Sequence, residues 1–494
     1  MAARAHILYT RAPREARPLR YISTRGSGPA SDATMRFDDV LLAGLAGDGG
    51  LYVPERWPAI APDDLESWRG LGYADLACRV IAPFVGEAIP EAALGALIDD
   101  AYEGFDHPGI APLVEIGDNL HLLELFHGPT LAFKDYALQV LGRLFDHVLA
   151  ARGERITIVG ATSGDTGSAA IAACRDRAAL DIFILHPHGR VSEVQRRQMT
   201  TVAAENVHNI AVEGTFDDCQ DLVKALFGDS EFRARMRLSA VNSINWARIV
   251  AQCVYYVWAA LRLGAPGNQI AFAVPTGNFG NVFAGYAARE MGLPVARFLV
   301  GSNRNDILAR FFQSGAMEVR AVEPSLSPSM DIQISSNFER LLFDLLDRDG
   351  ARVAATMTGF RKTGRFALEP AALARARAIF TGFRLDDEGT KRAIARLHAE
   401  TGMLVDPHSV IAVEAARALG PDLGVPVVAL ATAHPAKFPD AVEAATGARP
   451  ELPPALADLY EREERLTVLP NDLAAVRAHI AQHARPVGAP ESVI

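Results

Sequence analysis

The run His127-Gly128-Pro129-Thr130-Leu131-Ala132-Phe133-Lys134-Asp135-Tyr136 sets an amine where a loop becomes a helix. An apolar segment with strand character, Leu120 to Phe126, precedes it, and Ala137 to Gly142 follows with helical spacing. An amine drawn out of water at such a junction loses affinity for its proton and is freed to act as nucleophile or base. On its own the run reads equally well as a solvated helix lysine beside Asp135.

Two loops have the form of anion sites. The first, Gly160-Ala161-Thr162-Ser163-Gly164-Asp165-Thr166-Gly167-Ser168, joins the strand Ile156–Val159 to an apolar helix. It offers amides and hydroxyls at a helix start, where the dipole favours negative charge, and a tight turn with an N-cap is the plain alternative. It lacks both the Gly-Lys-Ser/Thr of a nucleotide loop and the G-x-G-x-x-G of a dinucleotide fold. The second, Pro275-Thr276-Gly277-Asn278-Phe279-Gly280-Asn281, follows the strand Ile270–Val274, and its two glycines let backbone N–H groups converge on a phosphate.

Two more runs carry charge. In Asn242-Ser243-Ile244-Asn245-Trp246-Ala247-Arg248 either Ser243 or Asn245 serves as N-cap. Arg248 then falls in the first turns, suited to a bidentate grip on phosphate or simply to solvent. Ala431-Thr432-Ala433-His434-Pro435-Ala436-Lys437 follows the strand Val425–Leu430, at the strand end where α/β sheets bind ligands. Lys437 reads as charge near a phosphate or as a solvated lysine. His186 and His188 have no third ligand beside them, so they read as a loop pair and no metal site is expected.

The elements that must position these groups alternate short apolar strands with amphipathic helices from about residue 110 onward, which predicts an α/β body with parallel strands. Strands are expected at 156–159, 181–185, 270–274, 297–300 and 425–430, and helices starting near Phe216, Trp246, Asn281, Asp306 and Ala436. Residues 65–102 read as helical with breaks at Pro83 and Pro90, and the chain past Pro453 as a polar, mostly helical tail. With 494 residues, more than one domain is expected. A net charge of −10 argues against a nucleic-acid partner. The longest apolar run, Cys253–Leu261, is far too short for a membrane span, and the four scattered cysteines fit a reducing compartment. Arg4, Arg11, Arg14, Arg17 and Arg20 make the N-terminus basic, which suits a terminal extension better than an organellar presequence.

Taken together, Phe133-Lys134-Asp135 after Gly-Pro-Thr, the Thr162–Gly167 and Gly277–Asn281 loops, and the N-terminal runs Tyr21-Ile22-Ser23-Thr24-Arg25-Gly26 and Gly47 to Pro54 resemble the threonine synthase family. The resemblance spans most of the chain. It implies an α/β fold of the fold type II, tryptophan synthase β-like class with a small N-terminal module, and pyridoxal 5'-phosphate (PLP) as cofactor. The expected division is an extension at 1–19, the N-terminal module at 20–98, the catalytic body at 99–455 and a tail at 456–494. By resemblance Lys134 attaches the cofactor and is the catalytic base. Gly277, Asn278, Phe279, Gly280 and Asn281 cradle its phosphate, and Thr432 meets its pyridine nitrogen. Thr162, Ser163 and Thr166 would hold a substrate carboxylate, and Asn242, Ser243 and Arg248 a substrate phosphate. Asp165 stands where the broader class has Asn, and as an anion it is expected to have a positional role only. His127 is expected to stack on the cofactor or donate to it, and Ser329 to Arg340 to shape the site.

The implied reaction converts O-phospho-L-homoserine and water to L-threonine and phosphate in a cytoplasmic monomer or homodimer. Two rivals keep the same loops: a phospho-lyase that stops at the 2-oxo acid, and a binding protein without turnover. A nicotinamide oxidoreductase is disfavoured by the absent G-x-G-x-x-G.

Overall fold

Strands buried on both faces carry near-continuous apolar runs, and this chain builds two sheets from such runs. The computed structural model describes residues 18–26 and 34–485. Of the N-terminal arginines, Arg4, Arg11, Arg14 and Arg17 lie outside the described residues. In chain order the strands are β1 (Tyr21–Ser23), β2 (Tyr52–Pro54), β3 (Leu113–Gly117), β4 (Leu120–Glu124), β5 (Ile156–Ala161), β6 (Leu180–Pro187), β7 (Val207–Glu213) and β8 (Leu238–Ser239). They continue with β9 (Ile270–Pro275), β10 (Val295–Ser302), β11 (Ala316–Glu318), β12 (Arg365–Ala367), β13 (Phe380–Arg384), β14 (Val427–Ala431) and β15 (Thr467–Pro470).

The larger sheet has the order β13-β10-β9-β14-β4-β3, parallel throughout except for the antiparallel edge strand β3. The smaller sheet, β15-β7-β6-β5-β8, is entirely parallel. The expected strands are β5, β6, β9, β10 and β14, and every residue of β6 and β9 is buried. β1 and β2 pair in the N-terminal segment, whose Tyr21 hydroxyl donates to the Phe84 carbonyl at 2.6 Å.

Two expectations need correction. Pro83 does not break its helix, which runs from Tyr73 to Val85. The proline falls in the last turn, where it gives up one intrahelical hydrogen bond and the helix ends two residues later. The C-terminal stretch is not only helical, because Thr467–Pro470 adds as the edge strand β15 and the helix Leu473–His483 buries Val476 and Ile480. A four-residue strand exposing alternate side chains leaves little pattern to read.

The helix Lys134–Arg152 is buried along most of its 19 residues and packs against the helices Asp165–Cys174 and Trp246–Arg262. Gly142 permits the first of these contacts, since a Cβ there would lie 2.3 Å from the Ala173 carbonyl oxygen. The loop that feeds this helix is stitched to the segment after β14. Phe133 N–H donates to the Thr432 carbonyl at 2.9 Å and His434 N–H to the Leu131 carbonyl at 3.0 Å.

Asp135 locks the same loop from below. Its carboxylate accepts the Thr130 N–H at 2.8 Å and the Thr130 hydroxyl at 2.6 Å. It lies so close to Gly128 that a Cβ there would come within 2.5 Å of its own Cβ. Burial pushes the Asp135 carboxyl up to about 6 against the opposing bonds from Thr130. Asp135→Ala is expected to cost about 1–3 kcal/mol in urea unfolding, because it strands two buried donors. A raised folded-state value means a contribution fully present below the unfolded value of about 3.9 and lost as pH rises through the folded value. The stability advantage of the native chain over Asp135→Asn should therefore shrink between about pH 4 and pH 6. An advantage that grows over that range would contradict this role.

Candidate active site

Lys134 is the first residue of its helix and lies beside Asp165, the first residue of the helix Asp165–Cys174. Its Nζ donates to Asp165 Oδ2 at 3.2 Å, and the amine lies 4.9 Å from the centre of the Phe133 ring. Burial pulls the Lys134 amine below the usual lysine range; Lys437 and Arg248 push the same way, and Asp165 opposes them. Burial of Asp165 opposes its ionisation, but Lys134 and Lys437 outweigh it and hold the carboxyl well below the usual range. Asp165 is thus the anion of the site. Its Oδ1 accepts Gln195 Nε2 at 2.7 Å and faces Lys437 Nζ at 3.0 Å, while Oδ2 also accepts the Ser329 hydroxyl at 3.3 Å.

The loop Gly277–Asn281 enters the helix Gly280–Glu290 through Phe279, which takes the left-handed conformation with φ 60°. That conformation is uncommon for an aromatic residue and marks a loop held to one shape. The backbone N–H groups from Gly277 to Asn281 donate to no acceptor among the described residues. The Asn281 side-chain Nδ2 is likewise buried and unpaired, while its Oδ1 accepts the hydroxyls of Tyr255 at 2.6 Å and Tyr256 at 2.8 Å. Free amides at a helix start, with a fixed amide beside them, fit a phosphate. With an amine in Lys134 and a hydroxyl in Thr432 held beside Phe133, this donor set fits a phosphorylated aldehyde such as PLP.

Arg248 lies in the first turn of the helix Trp246–Arg262, capped by Asn245, whose Oδ1 accepts the Ala247 N–H at 3.0 Å. Asn245, rather than Ser243, is therefore the cap. The Arg248 guanidinium is buried, and its Nε and Nη1 have no hydrogen-bond partner among the described residues. Burial lowers its affinity for its proton to about 10. A buried cation without a partner is costly to keep, so the fold holds Arg248 ready for an anion.

Ser329 to Arg340, for which the sequence offers no chemistry, runs along the whole site as a strap. Ser329 touches Asp165, and Ser335 donates to the Gly277 carbonyl at 2.7 Å. Ser336 N–H donates to Asn278 Oδ1 at 2.7 Å, and Asn337 Nδ2 to the Ser243 and Asn278 carbonyls at 3.1 Å each. Glu339 pairs with Arg25 at 2.5 Å and accepts the Thr24 hydroxyl at 2.7 Å, while Arg340 donates to the Tyr52 carbonyl at 2.9 Å. One segment thus ties both loops to the N-terminal module.

Ser163 and Thr166 stand free at the mouth of the first loop, partly or fully exposed. Thr162 is placed differently. Its hydroxyl is buried and accepts the N–H groups of Gly164 at 3.0 Å and Gly167 at 2.8 Å, so it shapes the loop. Asn242 makes a turn with the Ile244 N–H at 3.2 Å, and Ser243 bonds to Asn278, which joins the Arg248 run to the second loop. His127 does not face Lys134: its ring nitrogens are engaged by Asp106 at 3.0 Å and Glu124 at 2.7 Å.

Sequence reasoning missed Gln195, Gln198 and the Asp406–His408 pair. His408 Nδ1 meets Asp406 Oδ2 at 2.6 Å, and Nε2 accepts the Ser329 N–H at 3.2 Å. Ser409 joins this group by accepting the Thr432 N–H at 2.8 Å. The run Asp406-Pro407-His408-Ser409, polar groups between a helix and a helix start, was the available signal.

Three family models match the chain: "Threonine synthase N terminus" over residues 20–102, "Pyridoxal-phosphate dependent enzyme" over 106–433 and "Threonine synthase, C-terminal" over 409–480. A threonine synthase of Pseudomonas aeruginosa is 57% identical, covering 94% of this chain and 98% of the relative. The PLP-bound crystal structure of threonine synthase from Brucella melitensis aligns with a TM-score of 0.92 at 51% identity, covering 94% of this chain and 100% of that one. The yeast enzyme's structure aligns at 0.89 with 39% identity, covering 94% and 98%.

The unpaired Arg248 yields a stability prediction. Arg248→Met should raise the stability of the ligand-free chain by about 1–3 kcal/mol, since it removes an uncompensated buried charge. It should also abolish any rise in melting temperature that inorganic phosphate gives the native holoenzyme, in which the cofactor's phosphate would fill the Gly277–Asn281 cradle. Thermal melts with and without phosphate check both; a variant that melts lower and still responds to phosphate would contradict the assignment.

Proposed function

This chain belongs to the threonine synthase family of pyridoxal-phosphate dependent enzymes, and from that membership we propose how its residues divide the reaction. The substrate is O-phospho-L-homoserine, and the products are L-threonine and phosphate. The observation that carries this reading is the unpaired, buried guanidinium of Arg248 close to the Lys134 amine. A lyase acting on an unphosphorylated amino acid has no use for an anion site beyond those for the cofactor's phosphate and the substrate's carboxylate.

PLP supplies an electron sink that stabilises negative charge on the substrate carbons next to its point of attachment. Lys134 holds the cofactor and, once displaced by the substrate amine, takes a proton from Cα and then from Cβ. Ser163 and Thr166 orient the substrate carboxylate from a helix start whose dipole favours it. Thr162 acts one step back by fixing their loop. Arg248, with Asn242 and Ser243, binds the phosphate on Cγ and stabilises the charge that develops as the Cγ–O bond breaks. Lys134 returns the Cβ proton at Cγ, which becomes the methyl carbon; water then adds its oxygen at Cβ, its proton leaving with the phosphate, and Lys134 returns the other proton to Cα. Gly277 to Asn281 and Thr432 hold the cofactor at its phosphate and ring nitrogen. Asp165 stays with the lysines, where an anion is stabilised, and away from the carboxylate.

We also read the chain as an N-terminal module at 20–98, a body at 99–455 and a C-terminal segment at 456–494. The four cysteines are free thiols, which supports a reducing, cytoplasmic setting. No helix among the described residues is long and apolar enough to cross a membrane.

The test is a product balance. Incubation of the pure holoenzyme with O-phospho-L-homoserine should release threonine and phosphate in equal amounts, with 2-oxobutyrate a minor product. Release of phosphate with 2-oxobutyrate in its place would make the protein a phospho-lyase on the same scaffold. Arg248→Ala should lower kcat/KM about 10²–10³-fold while leaving the cofactor's visible absorbance intact.

A further inference from the structure

Two buried lysines share one carboxylate in this site, and their surroundings differ. Lys437, in the short turn Pro435–Lys437, is 0% exposed. Its Nζ donates to the Thr130 carbonyl at 2.5 Å and Gln198 Oε1 at 2.9 Å, and it pairs with Asp165 Oδ1 at 3.0 Å. With two acceptors engaged, a neutral amine would turn its lone pair toward the carboxylate oxygen, so the ammonium is the form that fits. Gln198 is itself fixed, with Nε2 donating to the Thr130 carbonyl at 3.1 Å, so its oxygen is turned to Lys437. Lys134 has a single acceptor, the other oxygen of Asp165, at 3.2 Å.

We propose that Lys437 is a positioning residue for the cofactor-bearing amine: as a fixed ammonium it neutralises Asp165, which leaves Lys134 without a counter-ion of its own and keeps it a neutral amine. This rests on the reading that Lys134 attaches PLP. The chemical need is direct. An ammonium has no lone pair, whereas the amine adds to the aldehyde carbon and water leaves. The same free amine is what later accepts a substrate proton. A carboxylate facing Lys134 alone would stabilise the ammonium and oppose both steps.

Every charged group packed around the pair fits this assignment. Lys134 is faced by Asp165 from the helix Asp165–Cys174, by Lys437 from its turn and by Arg248 from the helix Trp246–Arg262. Asp165 is also faced by His408, which is backed by Asp406. Lys437 is faced by Asp135 from the base of the Lys134 helix. Two cations thus bear on Lys134 against one anion, and that anion already serves Lys437.

The test follows the pH dependence of the rate at which the full-length, cofactor-stripped chain forms its Lys134 adduct with added PLP. The adduct is trapped by borohydride and assigned by peptide mapping. The rate should rise with pH as Lys134 loses its proton. In Lys437→Met the midpoint should move up by on the order of one pH unit, making the rate below both midpoints about tenfold slower. In Asp165→Asn it should move down, and in the double variant, which removes one charge of each sign, it should return toward the native value. That reversal separates charge from structure, because damage to the fold would add up. Asp165→Asn reads the same charge from the other partner, so the test stands even where Lys437→Met does not fold. An unmoved or lowered midpoint in Lys437→Met overturns the proposal, as does a double variant displaced further than either single one. An adduct in the native chain that maps away from Lys134 overturns instead the reading on which the proposal rests.

Discussion

One buried carboxylate shared by two buried lysines is the constraint on which the rest of this structure depends. Asp165, Lys134 and Lys437 come from three separate parts of the chain, and each is carried by an element that begins at or near the residue itself. A helix start is a rigid base with free N–H groups, so a side chain there is both well placed and surrounded by donors. Burying such a group in isolation is costly, and it becomes tolerable only when every oxygen and N–H has a partner. Gln195, Gln198, Thr130 and Ser329 supply those partners.

Arg248 is the contrast. Lys437 and Asp165 are satisfied from within the protein, whereas the guanidinium is buried and left without an acceptor among the described residues. One site is internally balanced and the other is waiting for charge to arrive with a ligand. That division matches a family whose members bind a cofactor permanently and a phosphorylated substrate in passing. The strap from Ser329 to Arg340 links the two by touching Asp165 at one end, Gly277 and Asn278 along its length, and the N-terminal module through Glu339 and Arg340. The N-terminal segment, which supplies no side chain to the lysine cluster, bears on the site through this route.

Much of this was legible in the sequence, for local reasons. Apolar runs such as Ile270–Val274 and the Gly-Pro and Gly-Asn turns announce strands and loops without reference to the rest of the chain. Lys134, Arg248 and the two loops stood out because each lies at a strand–loop–helix junction. What depends on tertiary contact was not legible. Nothing local to Lys437 distinguishes an ammonium with three buried partners from a solvated side chain. Asp165 was readable as an anion that must avoid the substrate carboxylate, but its four contacts come from residues between 30 and 272 positions away. His127 lies close to Lys134 in sequence, and only the fold shows that it faces Asp106 and Glu124. The inward turn of the Thr162 hydroxyl is invisible for the same reason.

The central claim is that of the two lysines flanking Asp165, Lys134 is the reactive amine and Lys437 the fixed cation. Borohydride reduction of the holoenzyme as purified, followed by proteolysis and mass mapping, tests it most directly. The account predicts a single pyridoxyl group on the peptide containing Phe133-Lys134-Asp135, with Lys437 unmodified. A pyridoxyl group on Lys437, or none on Lys134, would contradict it.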